Sequence, residues 1–214
     1  GKTIVAELAI LRMKNLDPKA ICVYIAPLRS LARERLTEWR TKLGGDPLRW
    51  SILELSGDTN HDNSAMERAD LLVCTPEKWD LVSRGWRSKE GVGRAFVKRV
   101  KLLVLDEVHL LGEERGAVLE AIVSRTRFIA RFVGAQGDGK HPDQEQTRLC
   151  ALSTALANPS DLGDWMGIVV ASFGRGPPAA ARIAPSEDRS LTARPTKAAP
   201  AKYPMWALNP TTRD

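Results

Sequence analysis

The stretch Leu102-Leu103-Val104-Leu105-Asp106-Glu107-Val108-His109 constrains this chain more than any other. Four consecutive apolar residues describe a strand buried on both faces, the pattern of strands inside a parallel sheet. Two carboxylates follow where such a strand leaves the sheet, and ligands of open α/β sheets bind just outside the carboxyl ends of strands. That position sets Asp106 to meet a metal ion and Glu107 to meet a water beside it. A hydrophobic strand ending in an acidic turn is the plain alternative for this octapeptide taken alone.

Its surroundings repeat the theme. Ala20–Ala26, Trp50–Leu55, Leu71–Cys74 and Arg148–Leu152 also read as strands. Between them lie helical patterns. Ile4–Leu11 is apolar too densely for a one-faced helix and is expected to pack on a sheet. Leu28–Leu43 carries Leu28, Leu31, Leu36, Trp39 and Leu43 at near-helical spacing. Thr75-Pro76 supplies an N-cap and a first-turn proline to a helix through Trp79-Asp80. Gly116–Val133 is amphipathic, and Asn158-Pro159 opens a short helix through Asp164-Trp165. Strands alternating with helices predict an α/β fold, a parallel sheet with helices on both faces. Gly134–Thr147 is polar and reads as a surface loop. Residues 171–214 hold seven of the 13 prolines with little apolar periodicity, a disordered or irregular tail by composition. The expected division is therefore a folded unit over residues 1–170 and a Pro/Ala/Arg-rich linker over 171–214.

The net charge of +6 invites a nucleic-acid reading, but its distribution weakens it. Residues 1–170 hold 25 Lys and Arg against 23 Asp and Glu, while residues 171–214 hold 7 against 3, so most of the excess sits in the tail. Charge alone argues for no nucleic-acid groove. No apolar run approaches the roughly 18 residues of a membrane span. Cys22, Cys74 and Cys150 lie in apolar segments without close partners, as expected of buried thiols in a reducing compartment. With no secretory leader in view, a nuclear or cytoplasmic location is expected.

Gly1-Lys2-Thr3 at a helix start matches the closing triplet of a phosphate-binding loop. There the lysine reaches the β and γ phosphates, the threonine hydroxyl binds Mg²⁺, and the helix N-terminus favours negative charge. The triplet recurs by chance, and the strand and glycine-rich turn that accompany it are not among these residues.

Taken together and in order, the motifs resemble the first RecA-like lobe of superfamily 2 DExH-box helicases of the superkiller-type, two-cassette branch. The resemblance rests on Ala26-Pro27-Leu28-Arg29-Ser30-Leu31-Ala32-Arg33-Glu34-Arg35, Thr75-Pro76-Glu77-Lys78-Trp79-Asp80, Asp106-Glu107-Val108-His109 with the following residues to Gly116, and Leu152-Ser153-Thr154-Ala155-Leu156-Ala157-Asn158. It covers residues 1 to about 168. It implies a RecA-like (P-loop) sheet lacking its first strand, with ATP and Mg²⁺ as cofactors. Gly1, Lys2 and Thr3 would hold the nucleotide, Thr3 and Asp106 the metal, and Asp106 with Glu107 the hydrolytic chemistry. His109 would couple that site to Ser153 and Thr154. The order Ser-Thr-Ala, where most of the superfamily reads Ser-Ala-Thr, leaves open which hydroxyl couples.

On the nucleic-acid side, the resemblance implies that Pro27, Leu28, Arg29, Gly57, Asp58, Thr75, Pro76 and Glu77 grip one strand of single-stranded or partly duplex DNA or RNA. Backbone contacts of this kind position without reading sequence. Arg29, Arg33 and Arg35 read equally as phosphate contacts or as a solvated basic helix face. Trp39 and Trp79 read as packing residues. The family completes its ATP site with a second RecA-like lobe, so the isolated chain is expected to turn over ATP negligibly. The parent is expected to be an ATP-driven helicase, with 3′→5′ polarity implied by the branch, in a multi-protein complex and without a membrane. Two other readings stay open: a catalytically inactive nucleic-acid or protein interaction module, and a P-loop ATPase of another class.

Overall fold

A computed structural model describes residues 1–55, 63–88, 94–109, 116–134, 147–154 and 159–167. Helix α1 (Lys2–Leu16) leads into β1 (Ile21–Ile25), α2 (Arg29–Lys42), β2 (Ile52–Leu55), α3 (Asn63–Glu67), β3 (Leu71–Cys74) and α4 (Pro76–Ser83). Single 3₁₀ turns at Arg84–Arg87 and Ala95–Arg99 precede β4 (Val100–Leu105), α5 (Gly116–Gly134) and β5 (Arg148–Ala151). A last helix, α6 (Pro159–Met166), opens on proline and carries Asp161 in its first turn, which suits the helix dipole.

The five strands form one parallel sheet in the order β2-β3-β1-β4-β5. All five residues of β1 and all four of β3 are buried, which is why both read as continuous apolar runs. Cys22 and Tyr24, Leu71 and Val73, and Leu102 and Val104 share one face of the sheet. There they form a cluster with Ala6, Ile10 and Met13 of α1 and Ala32, Leu36 and Trp39 of α2. Their alternates Val23, Ile25, Leu72, Leu103 and Leu105 are as deeply buried on the other face. Helices α4 and α5 pack against each other. Arg125 of α5 clamps that pair: its guanidinium lies 2.8 Å from Asp80 Oδ1 and donates to Ser83 Oγ at 2.8 Å. Arg84 adds a 2.6 Å bond to Asp80 Oδ2. Burial alone would raise the Asp80 carboxyl, but the two guanidiniums outweigh it and hold it below the usual carboxylate range.

The strand and helix expectations hold for the described residues, with local differences. Helix α3 and the two 3₁₀ turns fall where the sequence has no periodicity to announce them. Thr75 is the N-cap of α4, with no side-chain cap bond. Only one face of α1 packs on the sheet; Ile4, Val5, Leu8 and Leu16 are more than half exposed. Trp39 and Trp79 are buried, at 0% and 2% exposure, as packing residues should be. Cys22, Cys74 and Cys150 are free thiols. Burial pushes Cys22 up to about 12, and raises Cys74 and Cys150 as well, so all three stay protonated. No described helix is long and apolar enough to cross a membrane.

Candidate nucleotide and nucleic-acid site

Parallel pairing puts the carboxyl ends of β3, β1 and β4 side by side. Ile25 is level with Cys74 on one neighbour and with Leu105 on the other. The ladder continues past the strands: Ala26 N–H donates to Cys74 O at 2.9 Å, and Asp106 N–H to Ile25 O at 2.9 Å. On the far side Leu152 N–H donates to Leu105 O at 2.8 Å, and Val108 N–H to Leu152 O at 3.0 Å. Motifs separated by dozens of residues are thereby delivered to one edge of the sheet, fixed in height by backbone hydrogen bonds.

Asp106 stands at the centre. Its Oδ1 accepts the Glu107 backbone N–H at 3.0 Å, and its Oδ2 accepts the Tyr24 hydroxyl. Burial, then that hydrogen bond and the Asp106 charge, push the Tyr24 phenol far above its ordinary range, so Tyr24 is the donor. Glu107 follows with φ of +51°, in the left-handed region that costs a non-glycine residue of order 1 kcal/mol. The turn this produces aims its carboxylate at Lys2, whose Nζ lies 2.5 Å from Glu107 Oε1. Glu107 Oε2 is buried and makes no hydrogen bond; His109 Nδ1 is 3.3 Å away, within ion-pair range but outside hydrogen-bond geometry.

His109 is where three groups converge. The same Nδ1 is 3.5 Å from Ser153 Oγ and 3.3 Å from Thr154 Oγ1. A single ring nitrogen serves one of these at a time. Unprotonated, it accepts from a hydroxyl; protonated, it faces the Glu107 carboxylate. Both hydroxyls are within reach of that one nitrogen, and the geometry singles out neither.

Helix α1 presents its N-terminus to this cluster. Gly1 stands at its N-cap position and its first turn holds no acidic residue, an arrangement that suits an anion. Thr3 Oγ1 accepts a 3.3 Å bond from Arg35 of α2. Arg35 is not the solvated face residue one reading of the sequence allowed. Its side chain is only 17% exposed, tied to Glu38 and Glu34 and turned toward Thr3. Arg33, at 61% exposure, does lie on the surface, 3.5 Å from Glu54.

Thr3 and Asp106 are hard oxygen donors of the kind Mg²⁺ takes when phosphates and water complete its shell. Among the described residues no group of three or more His, Cys, Asp and Glu forms a cage that would hold a metal without such help. The α1 N-terminus, the lysine and the orphaned Glu107 oxygen fit a nucleotide phosphate chain with its metal.

Pro27, Leu28 and Arg29 leave β1 at this edge, and Thr75, Pro76 and Glu77 leave the neighbouring β3 beside them. Leu28 is the half-exposed N-cap of α2, a helix that also lacks a side-chain cap and first-turn acids. Pro76 is buried and Glu77 exposed. Gly57 and Asp58 lie outside the described residues. Tyr24 was missed by sequence reasoning, and the bond from Arg35 to Thr3 was not foreseen. A lone phenol in an otherwise apolar strand is the signal that could have marked Tyr24, because a buried hydroxyl needs a partner.

The DEAD/DEAH box helicase family model matches residues 1–162. The chain is 48% identical over 168 residues to the activating signal cointegrator 1 complex subunit 3 of Danio rerio, covering 78% of this chain and 10% of that protein. It is 47% identical over 168 residues to the Homo sapiens form, covering 7% of it. It is also 43% identical over 170 residues to the DExH-box ATP-dependent RNA helicase DExH13 of Arabidopsis thaliana, again 7% of that protein. The chain thus spans a tenth or less of the length of these relatives. Among solved structures, the DUF1998 helicase MrfA bound to DNA shares the fold, with a TM-score of 0.54 at 20% identity, over 78% of this chain and 22% of that one. A parallel sheet with its motifs gathered at one edge, and a family match over three quarters of the sequence, lead to one conclusion: the chain belongs to the DEAD/DEAH box helicase family.

Proposed function

We propose that residues 1–170 are the first, ATP-binding RecA-like lobe of an ATP-driven nucleic-acid helicase, joined to a linker over 171–214. The observation that carries this reading is the Lys2–Glu107 pair beside Asp106 at the start of α1. A lysine there opposes the helix dipole, and one carboxylate is poor compensation. A β/γ phosphate would serve it better, and Lys2 exchanging partners would free Glu107 to orient the attacking water. Thr3 and Asp106 would hold Mg²⁺, which when bound would neutralise charge on the phosphate oxygens. His109, next to Glu107 on one side and Ser153 and Thr154 on the other, reports the state of that carboxylate to the rest of the lobe.

Pro27–Arg29 and Thr75–Glu77, at helix starts, grip one nucleic-acid strand through the N–H groups of their non-proline residues, together with Gly57 and Asp58, with little sequence preference. Adjacency of β1 to β4 lets strand contact and nucleotide state bear on each other across two paired strands. Unwinding runs 3′→5′, by likeness to the superkiller-type branch. The track is DNA or RNA: DExH13 is named an RNA helicase, and MrfA was solved on DNA. A second RecA-like lobe completes the ATP site with arginines worth roughly 10³–10⁵ in related phosphoryl transfer. Purified 1–214 therefore binds nucleotide but hydrolyses it negligibly. Relatives that are subunits of a complex point to a multi-protein setting.

Binding of a fluorescent ATP analogue with Mg²⁺ tests the reading. Wild type is expected to bind, and Lys2→Ala and Asp106→Ala to lose binding by tenfold or more. A folded wild type that does not bind would leave an interaction module that makes no use of ATP.

A further inference from the structure

Tyr24 belongs to none of the motifs that brought the family to light, yet it touches the residue at the centre of the site. We propose that Tyr24 is a positioning residue that holds the Asp106 carboxylate in the orientation a hydrated divalent cation requires. This rests on the reading of Asp106 as a metal ligand given above.

The argument begins with the carboxylate. Its two oxygens are held from opposite ends, Oδ2 by the Tyr24 hydroxyl and Oδ1 by the Glu107 N–H. The carboxylate cannot rotate about its Cβ–Cγ bond without breaking both. Each oxygen has two lone pairs, so each keeps one for a metal or its water. Asp106 is therefore oriented before any ligand arrives, and the entropy of fixing it is not charged to binding.

The phenol is itself held. Tyr24 is 1% exposed, and its ring meets Trp39 edge to face, with centroids 4.8 Å apart and planes at 87°. Trp39 is fully buried, and its indole N–H donates to Glu7 Oε1 at 2.9 Å. Glu7 lies on α1, one turn beyond Thr3. A closed path of contacts, Asp106 to Tyr24 to Trp39 to Glu7, thus fixes one metal-ligating residue relative to the helix that carries the other. Outer partners of this kind matter: their loss costs about 10–100-fold in metal affinity at other metal sites.

A purely structural role would leave the phenol satisfying itself on the nearest acceptor. The two roles separate in Tyr24→Phe, which keeps the ring and its contact on Trp39 and removes only the hydroxyl. Mn²⁺, followed by electron paramagnetic resonance in the presence of a non-hydrolysable ATP analogue, serves as the metal probe on the 214-residue chain. The expected result is about tenfold weaker Mn²⁺ binding, with metal-free affinity for the analogue within twofold of wild type. Trp39→Phe, which keeps the hydroxyl but loosens the ring, is expected to weaken Mn²⁺ binding less. Mn²⁺ affinity of Tyr24→Phe within twofold of wild type, while Asp106→Ala loses it, would overturn the inference and leave the nucleotide site standing. Equal loss of metal-free and metal-dependent binding in Tyr24→Phe would also overturn it, since the hydroxyl would then be holding the fold. A wild type with no Mn²⁺-dependent binding would remove both the nucleotide reading and this inference.

Discussion

Helix α1 carries a lysine near each end, and the two ends of the sheet treat them in opposite ways. Lys14, at the amino edge of the strands, is 7% exposed and fully engaged. Its ammonium donates to Pro18 O, to Ala20 O at 3.0 Å and to Asp70 Oδ1 at 2.7 Å, using all three protons. The other Asp70 oxygen accepts Ser51 N–H at 2.8 Å. One ion pair thereby joins the end of α1 to the entries of β1, β2 and β3. A cation in the last turn is also favoured by the helix dipole. Lys2, at the carboxyl edge, is 36% exposed, sits at the unfavourable end of the dipole, and has one carboxylate whose second oxygen goes unbonded. That carboxylate is reached through a left-handed backbone turn. Saturated polar groups on a relaxed backbone describe a clasp. Unsaturated ones on a strained backbone suit a site more than a clasp.

The contrast breaks most readily at the clasp. Lys14→Ala leaves the Asp70 carboxylate and two carbonyls short of a partner, and is expected to cost about 3 kcal/mol of stability, since removing one member of a buried pair typically costs 3–5. Urea unfolding checks this, and analogue affinity of the folded fraction should not change. Next comes the clamp between α4 and α5: Arg125→Ala should cost about 2 kcal/mol, the worth of charged hydrogen bonds.

The same clamp gives a pH dependence. The Asp80 carboxyl is held below its ordinary value of 3.8, so its stabilising effect is complete above that value and is lost as pH falls through the lower folded one. Asp80→Asn should destabilise the chain at neutral pH and flatten the acid limb of its stability curve. An acid limb as steep as wild type would remove Asp80 from the account. At the site, Glu107→Gly relieves the +51° backbone and should raise stability by about 0.5–1 kcal/mol, read by urea unfolding. A loss of stability there would mean the turn is not strained. The smallest effect is expected for Lys2→Ala, within about 0.5 kcal/mol of wild type, because a half-exposed pair is worth little.

Much of this was legible in the residues, and what escaped did so for a shared reason. The strands at Ile21–Ile25 and Leu71–Cys74, and the Leu102–Leu105 part of the next, announce themselves because burial on both faces leaves runs with no charged interruption. Asp106 and Glu107 could be singled out by their place at a strand end, and His109 by the family resemblance. The partners could not. Tyr24 and Asp106 are 82 residues apart, Lys14 and Asp70 56, and Arg125 and Ser83 42. No local period records a hydrogen bond across such distances. Tyr24 looked like one more core residue in an apolar strand, and Arg35 read equally as a phosphate contact or as a solvated arginine of α2. Each acquires its role only when the sheet order sets β1 beside β4 and α2 beside α1. The positive φ at Glu107 escaped for another reason, since nothing in a glutamate signals a conformation usually left to glycine.

The most direct test of the contrast is thermal melting of wild type and Lys2→Ala, each with and without a non-hydrolysable ATP analogue and Mg²⁺. The account predicts that the two melt at nearly the same temperature alone, that the ligand raises the wild-type midpoint by several degrees, and that the rise vanishes in Lys2→Ala. An equal rise in both would show that Lys2 holds no phosphate. A variant that melts far below wild type without ligand would show that Lys2 is a clasp like Lys14, and the distinction between the two ends of the helix would fall.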